Sequence, residues 1–209
     1  MKKIIFGIFA HPDDEAFGPA GTMLREVMGG NELHLILLTA GQNGLNPDNL
    51  NDLTRVRLEE WRESGEKIGA KAMHHLGFTD GGMGNKDMIE ATEKILKIID
   101  STLSKHRGSA EVDLISMDMN GISGHIDHIV ASRAAHQVFY KLKDRGVLMG
   151  RLRLACIPRS QTSDKPSTDF VFMEPGRLES EIDEVVDNRD LSGRVIDIMR
   201  THHTQREDG

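Results

Sequence analysis

Apolar and polar positions follow two rhythms along this chain. The run KIIFGIFA, Lys3 to Ala10, is continuously apolar and rich in β-formers, the pattern of a strand buried on both faces. From Glu15 to Met28 the rhythm turns helical, with Met23, Leu24 and Val27 at helical spacing and GGN as the stop. ELHLILLTA, Glu32 to Ala40, reads as a second strand, Leu53 to Ile68 as a helix closed by Gly69, and KAMHHLGF as a third, shorter strand. Asp87 to His106 is helical, with Ile89, Ile95, Leu96 and Ile99 on its apolar face. VDLISMD, Val112 to Asp118, is a fourth strand, and a further helix runs to about Leu142. RLRLACIP, Arg151 to Pro158, and FVFMEP, from Phe170, read as further strands. Leu178 to Arg200 reads as helical, and the tail THHTQREDG as frayed.

Strand and helix thus alternate at least four times. This predicts an α/β fold: a Rossmann-like, doubly wound, mostly parallel sheet in three α/β/α layers. The length of 209 residues suits one domain over 1–209, with no repeat or linker visible. In such sheets ligands sit at the carboxyl ends of the strands. Four polar loops fall at that edge, beginning AHPDDE, GQNGLNPDN, TDGGMGN and MNGISGHIDH.

Composition narrows the picture. The chain is 38% hydrophobic and 28% charged, in the ordinary globular range. A net charge of -7 argues against non-specific nucleic-acid binding. Cys156 is the only cysteine, so no intrachain disulfide forms, which fits a cytoplasmic protein, and a metal site must use His and carboxylates. Cys156 itself reads as packed within an apolar strand. The first apolar run is too short for a secretory signal, and no stretch approaches a membrane span.

The first loop carries the chemistry. A dinucleotide fold would place a G-x-G-x-x-G phosphate cradle there. AHPDDE instead holds three carboxylates, which repel phosphate. Proline and acids suit a helix start by themselves, but that leaves His11 unexplained. His11 and Asp14 are three apart across a strand-to-helix turn and can point into one crevice, where imidazole and carboxylate suit zinc or a similar divalent ion. Asp13, between them, could then face a bound water. His125 and His128 in GHIDH share one face of a helix start on the same sheet edge. Other histidines carry less. His34 lies in an apolar strand and reads as a satisfied, partly buried imidazole. His74 and His75 point to opposite faces. His202 and His203 sit in the expected frayed tail.

AHPDDE and GHIDH together resemble the LmbE/PIG-L family of zinc-dependent de-N-acetylases. AGTMLRE, LTAGQNG, RVRLEEW and LGFTDGGM, between them, resemble further family segments, so the likeness spans about residues 3–142 and leaves 143–209 as extra strands and a C-terminal helix. The resemblance implies His11, Asp14 and His128 as ligands of Zn2+, or of another divalent ion such as Fe2+. It implies Asp13 as general base, His125 as the residue that stabilises charge or donates a proton, and Asp127 as its orienting partner. Arg57 and Asp80 would contact an N-acetylated sugar, from which acetate and a free amine are released. It also implies a homo-oligomer, a trimer or hexamer. Two departures stand out. Ile126 replaces the family's usual proline, which implies a looser turn and a shifted His125. Gln42 stands where the family commonly has Glu. Two other readings stay open: an amidase acting on a non-sugar amide, and a carbohydrate-binding relative without catalysis.

Overall fold

The computed structural model describes residues 3–106, 110–162 and 176–207. Five strands form one sheet: β1 (Lys3–Phe9), β2 (Glu32–Thr39), β3 (Ala72–Phe78), β4 (Glu111–Met117) and β5 (Met149–Ala155), in the order β3-β2-β1-β4-β5. Every pairing is parallel. The helices are α1 (Asp14–Phe17), α2 (Ala20–Met28), α3 (Leu53–Ile68), α4 (Asn85–Leu103), α5 (Gly121–Gly124), α6 (Ile126–Asp144) and α7 (Ser192–Met199).

Period-two alternation in β1 builds both halves of the core. Ile4, Phe6 and Ile8 face the layer of α4 and α6, packing with Ile95, Ile99, Ala134 and Val138. Ile5 and Phe9 face α2, α3 and α7, packing with Met23, Leu24, Trp61 and Ile198. Each such side chain contributes about 1.5–3 kcal/mol when fully removed from water, so a strand apolar on both faces is driven to the centre of the sheet. The doubly wound three-layer fold expected from the sequence is the one found. The chain leaves β1 to one side and returns to its other side at β4, so a crevice opens at the carboxyl ends of these two strands. Among the described residues no helix is long and apolar enough to cross a membrane.

Three expectations need correction. The helix over Glu15 to Met28 is broken into α1 and α2 at Gly18-Pro19, because the proline ring disfavours helical backbone in the residue before it. The continuous helix over Leu178 to Arg200 shrinks to α7, preceded by short 3-10 turns at Glu179–Glu181 and Arg189–Leu191. Leu178, Ile182, Val185 and Val186 are helically spaced, but Leu178 is 41% and Val185 86% exposed, and an apolar face that is not docked gives a helix little support. Over its described residues the tail is not frayed: Thr201, His202, Thr204 and Gln205 are all buried. Two further details differ. β5 starts at Met149 and ends at Ala155, leaving Cys156 just beyond it and half-buried. The strand expected at FVFMEP lies outside the described residues.

Candidate metal centre and its acidic surroundings

The first loop is shaped by its own acids. Asp14 Oδ2 accepts from the amides of Ala10 and His11, both at 3.0 Å, and so turns the chain sharply after β1. Asp13 occupies φ 118°, a conformation that side chains rarely adopt. Its carbonyl accepts from the amides of Ala16 and Phe17 as α1 begins. The Arg57 guanidinium, delivered by α3, braces the same turn. It donates to the carbonyl oxygen of Pro12 at 2.7 Å, to Asp13 Oδ2 at 2.9 Å and to the carbonyl of Gly41 at 2.7 Å. The glycine-rich loop after β2 makes room for it, since a Cβ on Gly41 or Gly44 would lie 2.3 or 2.2 Å from Arg57 Nη1. Arg57, expected at the substrate, is thus buried and engaged by three protein acceptors.

The two histidine clusters meet as the spacing implied. His11 Nδ1 lies 2.9 Å from His128 Nε2, which also lies 3.1 Å from Asp14 Oδ1. The ring centroid of His125 is 4.7 Å from that of His11 and 5.1 Å from that of His128. His11, His125 and His128 present ring nitrogens within 4.8 Å of one another, and His11, Asp80 and Asp127 form a second such group. His11 Nε2 faces Asp80 Oδ1 at 3.0 Å and Asp127 Oδ2 at 3.3 Å. Asp80 is held in turn by the Asn43 amide at 2.8 Å. Asp127, expected to orient His125 with its carboxylate, directs that group to the amides of Gly81 and Met83 and to His11. Its backbone amide instead donates to His125 Nδ1 at 3.2 Å.

These partners assign the tautomers. His11 Nε2 faces carboxylates, and His128 Nδ1 faces the carbonyl of Gly121 at 3.0 Å, so these nitrogens carry the protons. The remaining nitrogens, His11 Nδ1 and His128 Nε2, point at each other at 2.9 Å, a separation that either a shared proton or a shared cation makes favourable. His11, Asp14 and His128, each backed by an outer hydrogen bond, are donor types that suit a divalent metal, while the groups whose ligand atoms all lie within 4.8 Å among the described residues are His11 with His125 and His128, and His11 with Asp80 and Asp127.

The acids around the cluster favour positive charge at His11 and His128, whether a proton or a cation supplies it. Burial would push His11 down, but hydrogen bonds with Asp127 and Asp80, and the charges of Asp14 and Asp80, carry it up to about 10. Burial opposes ionisation of Asp14 as well, yet His128, by charge and hydrogen bond, holds it well below the usual carboxylate range. Asp13 goes the other way: burial, with the Asp14 charge, raises it despite the pull of Arg57. His125 is lowered, by burial and by the charges of His11 and His128.

Ile126 is the first residue of α6 and 51% exposed, and His125 before it is extended (φ -64°, ψ 126°). That is the backbone a residue before proline adopts, so the ring is not needed to set this turn. Ile126→Pro is expected to raise stability by about 0.4–1 kcal/mol through the unfolded chain, with metal content unchanged. Thermal unfolding of the two proteins checks this; a fall in midpoint removes the account of the turn.

Sequence reasoning missed Glu15, Ser64 and His202. Glu15 is fully buried, with Ser64 Oγ at 2.5 Å and His202 Nε2 at 2.7 Å from its Oε1. The signal available was slight: a third acid directly after the turn, and a histidine following an amphipathic helix.

Comparison with known proteins places this geometry. The family model for PIG-L, described as GlcNAc-PI de-N-acetylase, matches residues 6–139. A 1D-myo-inositol 2-acetamido-2-deoxy-alpha-D-glucopyranoside deacetylase of Saccharopolyspora erythraea is 27% identical over 227 residues, covering 95% of this chain and 82% of the relative. The solved N,N'-diacetylchitobiose deacetylase of Pyrococcus horikoshii superposes with a TM-score of 0.63 at 20% identity, over 97% of this chain and 70% of its own. A 4-carboxy-2-hydroxymuconate hydratase of Pseudomonas putida superposes with a TM-score of 0.67 at 15% identity, over 99% of this chain and 81% of its own. One fold thus carries two chemistries, and the reaction must be argued from the side chains.

Proposed function

Because this chain belongs to the PIG-L family, we propose that it is a metal-dependent hydrolase that removes the acetyl group from an N-acetylglucosamine-type small molecule, giving acetate and a free amine. The observation that carries this reading is the approach of His11 Nδ1 and Asp14 Oδ1 to one atom, His128 Nε2, at 2.9 and 3.1 Å. His11, Asp14 and His128 would hold the ion, zinc by the nature of the donors, with ferrous iron accepted by the same set. When bound, such an ion supplies Lewis-acid polarisation of an amide carbonyl.

The remaining work falls to the chain. Asp13 is the general base. Arg57 holds its Oδ2, so Oδ1 takes the proton of the attacking water and later passes it to the leaving amine. A carboxyl raised by burial suits that exchange near neutral pH. His125 faces the oxyanion of the tetrahedral intermediate. Its Nδ1 accepts from Asp127, which leaves Nε2 carrying a proton to donate. Asp127 and Asp80 steady His11 and tie the loop after β3 to the site. Arg57 acts through Asp13, and Asp80 through His11, in support of the substrate side of the crevice.

Metal analysis of the purified protein, paired with an amine-release assay on N-acetylglucosamine derivatives and non-sugar amides, tests the reading. About one divalent ion per chain, with release from the sugars that a chelator abolishes and added metal restores, is the expected result. Turnover that survives exhaustive chelation, or release confined to non-sugar amides, overturns it.

A further inference from the structure

The C-terminal turn reaches the same loop through Glu15. Glu15 is 0% and His202 1% exposed. Glu15 Oε1 receives His202 Nε2 at 2.7 Å and Ser64 Oγ at 2.5 Å, while Oε2 accepts the backbone amide of Asp13 at 3.2 Å. We propose that His202 is a positioning residue for Asp13, acting through Glu15.

Three observations carry this. First, Asp13 sits at φ 118°, a costly conformation for a residue with a side chain, which persists only where its surroundings over-determine it. Two groups do so. Arg57 takes the carbonyl of Pro12 and the Asp13 carboxylate, and Glu15 takes the Asp13 amide. Second, packing alone does not account for a histidine here. An apolar residue would fill the space without burying a polar pair, and among the described residues His202 Nδ1 is buried with no partner. The bond to Glu15 and the Phe17 ring, whose centroid lies 6.0 Å from that of His202, set the orientation of the imidazole. Third, the turn that carries His202 is anchored where Arg57 originates. The amide and hydroxyl of Thr204 donate to Glu60 of α3 at 2.9 and 2.6 Å, and Gln205 Nε2 donates to the carbonyl of Leu45 at 2.9 Å. Both braces on Asp13 therefore share one support. The charge state is consistent: burial lowers His202, but the charge and hydrogen bond of Glu15, then the charges of Asp13 and Glu60, raise it overall.

The test compares His202→Gln, which keeps an N–H donor, with His202→Met, which fills a similar volume and has none. The kinetic arm rests on the proposed deacetylase activity; amide hydrogen exchange over residues 10–17 does not. The Met variant should lower kcat roughly 10- to 100-fold, in the range of positioning losses, with KM within about threefold and metal content unchanged. Exchange at Asp13 and the first turn of α1 should quicken about tenfold or more, as that turn loses its local protection, while β1 stays protected. The Gln variant should stay within about threefold of the parent in every reading. Equal behaviour of the two variants in both arms overturns the proposal. If the parent releases no amine from any sugar, the activity assignment fails and the exchange comparison alone decides this one. Should the Met variant not fold, His202→Leu, smaller and likewise without a donor, takes its place, and exchange at Asp13 equal to that of the Gln variant overturns the proposal.

Discussion

Replacing Asp13 by Asn is expected to leave the metal in place and lower amine release about 10³-fold, the middle of the range for general-base catalysis, or roughly 4 kcal/mol of barrier. The substitution changes one oxygen for an amide nitrogen and keeps the volume. Neither metal-facing contact of His128 involves Asp13, because these run to His11 and Asp14. Arg57 keeps its bonds to the carbonyls of Pro12 and Gly41, so the turn retains most of its bracing. What is lost is the capacity to take a proton. Metal content and amine release measured on the same preparation decide the matter. A variant with full metal and more than a tenth of the parent rate means that another group is the base.

His128→Ala should do the reverse and remove the metal. His128 Nε2 is the atom shared by His11 and Asp14, and its orientation is set by Nδ1 donating to Gly121. Loss of a mere outer-shell partner typically weakens a metal site about 10- to 100-fold, so loss of this imidazole should weaken it at least about 100-fold. The buried Asp14 carboxylate also loses the neighbour that holds it ionised. A competition titration against a chelator reads the affinity, and amine release should fall to background. A His128→Ala protein that keeps one tightly held ion shows that the metal is ligated elsewhere, with His11, Asp80 and Asp127 the next group to test. Asp13→Asn and His128→Ala thus separate proton transfer from metal binding, and neither outcome imitates the other.

The fold was legible because its signals are local. Continuous apolar runs marked β1, β2 and β4, and helical spacing marked α3 with both ends as found. The site was partly legible for the same reason. His11 and Asp14, and likewise His125 and His128, are three residues apart at element boundaries, and boundaries in this fold lie on one edge of the sheet. The errors came where local pattern and tertiary support part company. The stretch after Leu178 spaces its apolar residues as a helix would, yet Leu178 and Val185 stay exposed, and packing rather than pattern stabilises most helices in proteins.

By itself the sequence determined the order of strands and helices, the edge on which chemistry collects, and the residue types that suit a metal. Only the tertiary structure decided which polar groups are buried together. Arg57 stands 44 positions from Asp13, and His202 187 positions from Glu15. A polar tail reads as solvent-exposed because burying its groups is costly until partners are present, and those partners come from α1 and α3. Composition records how hydrophilic a residue is; whether a distant carboxylate waits to receive it is a property of the folded chain alone.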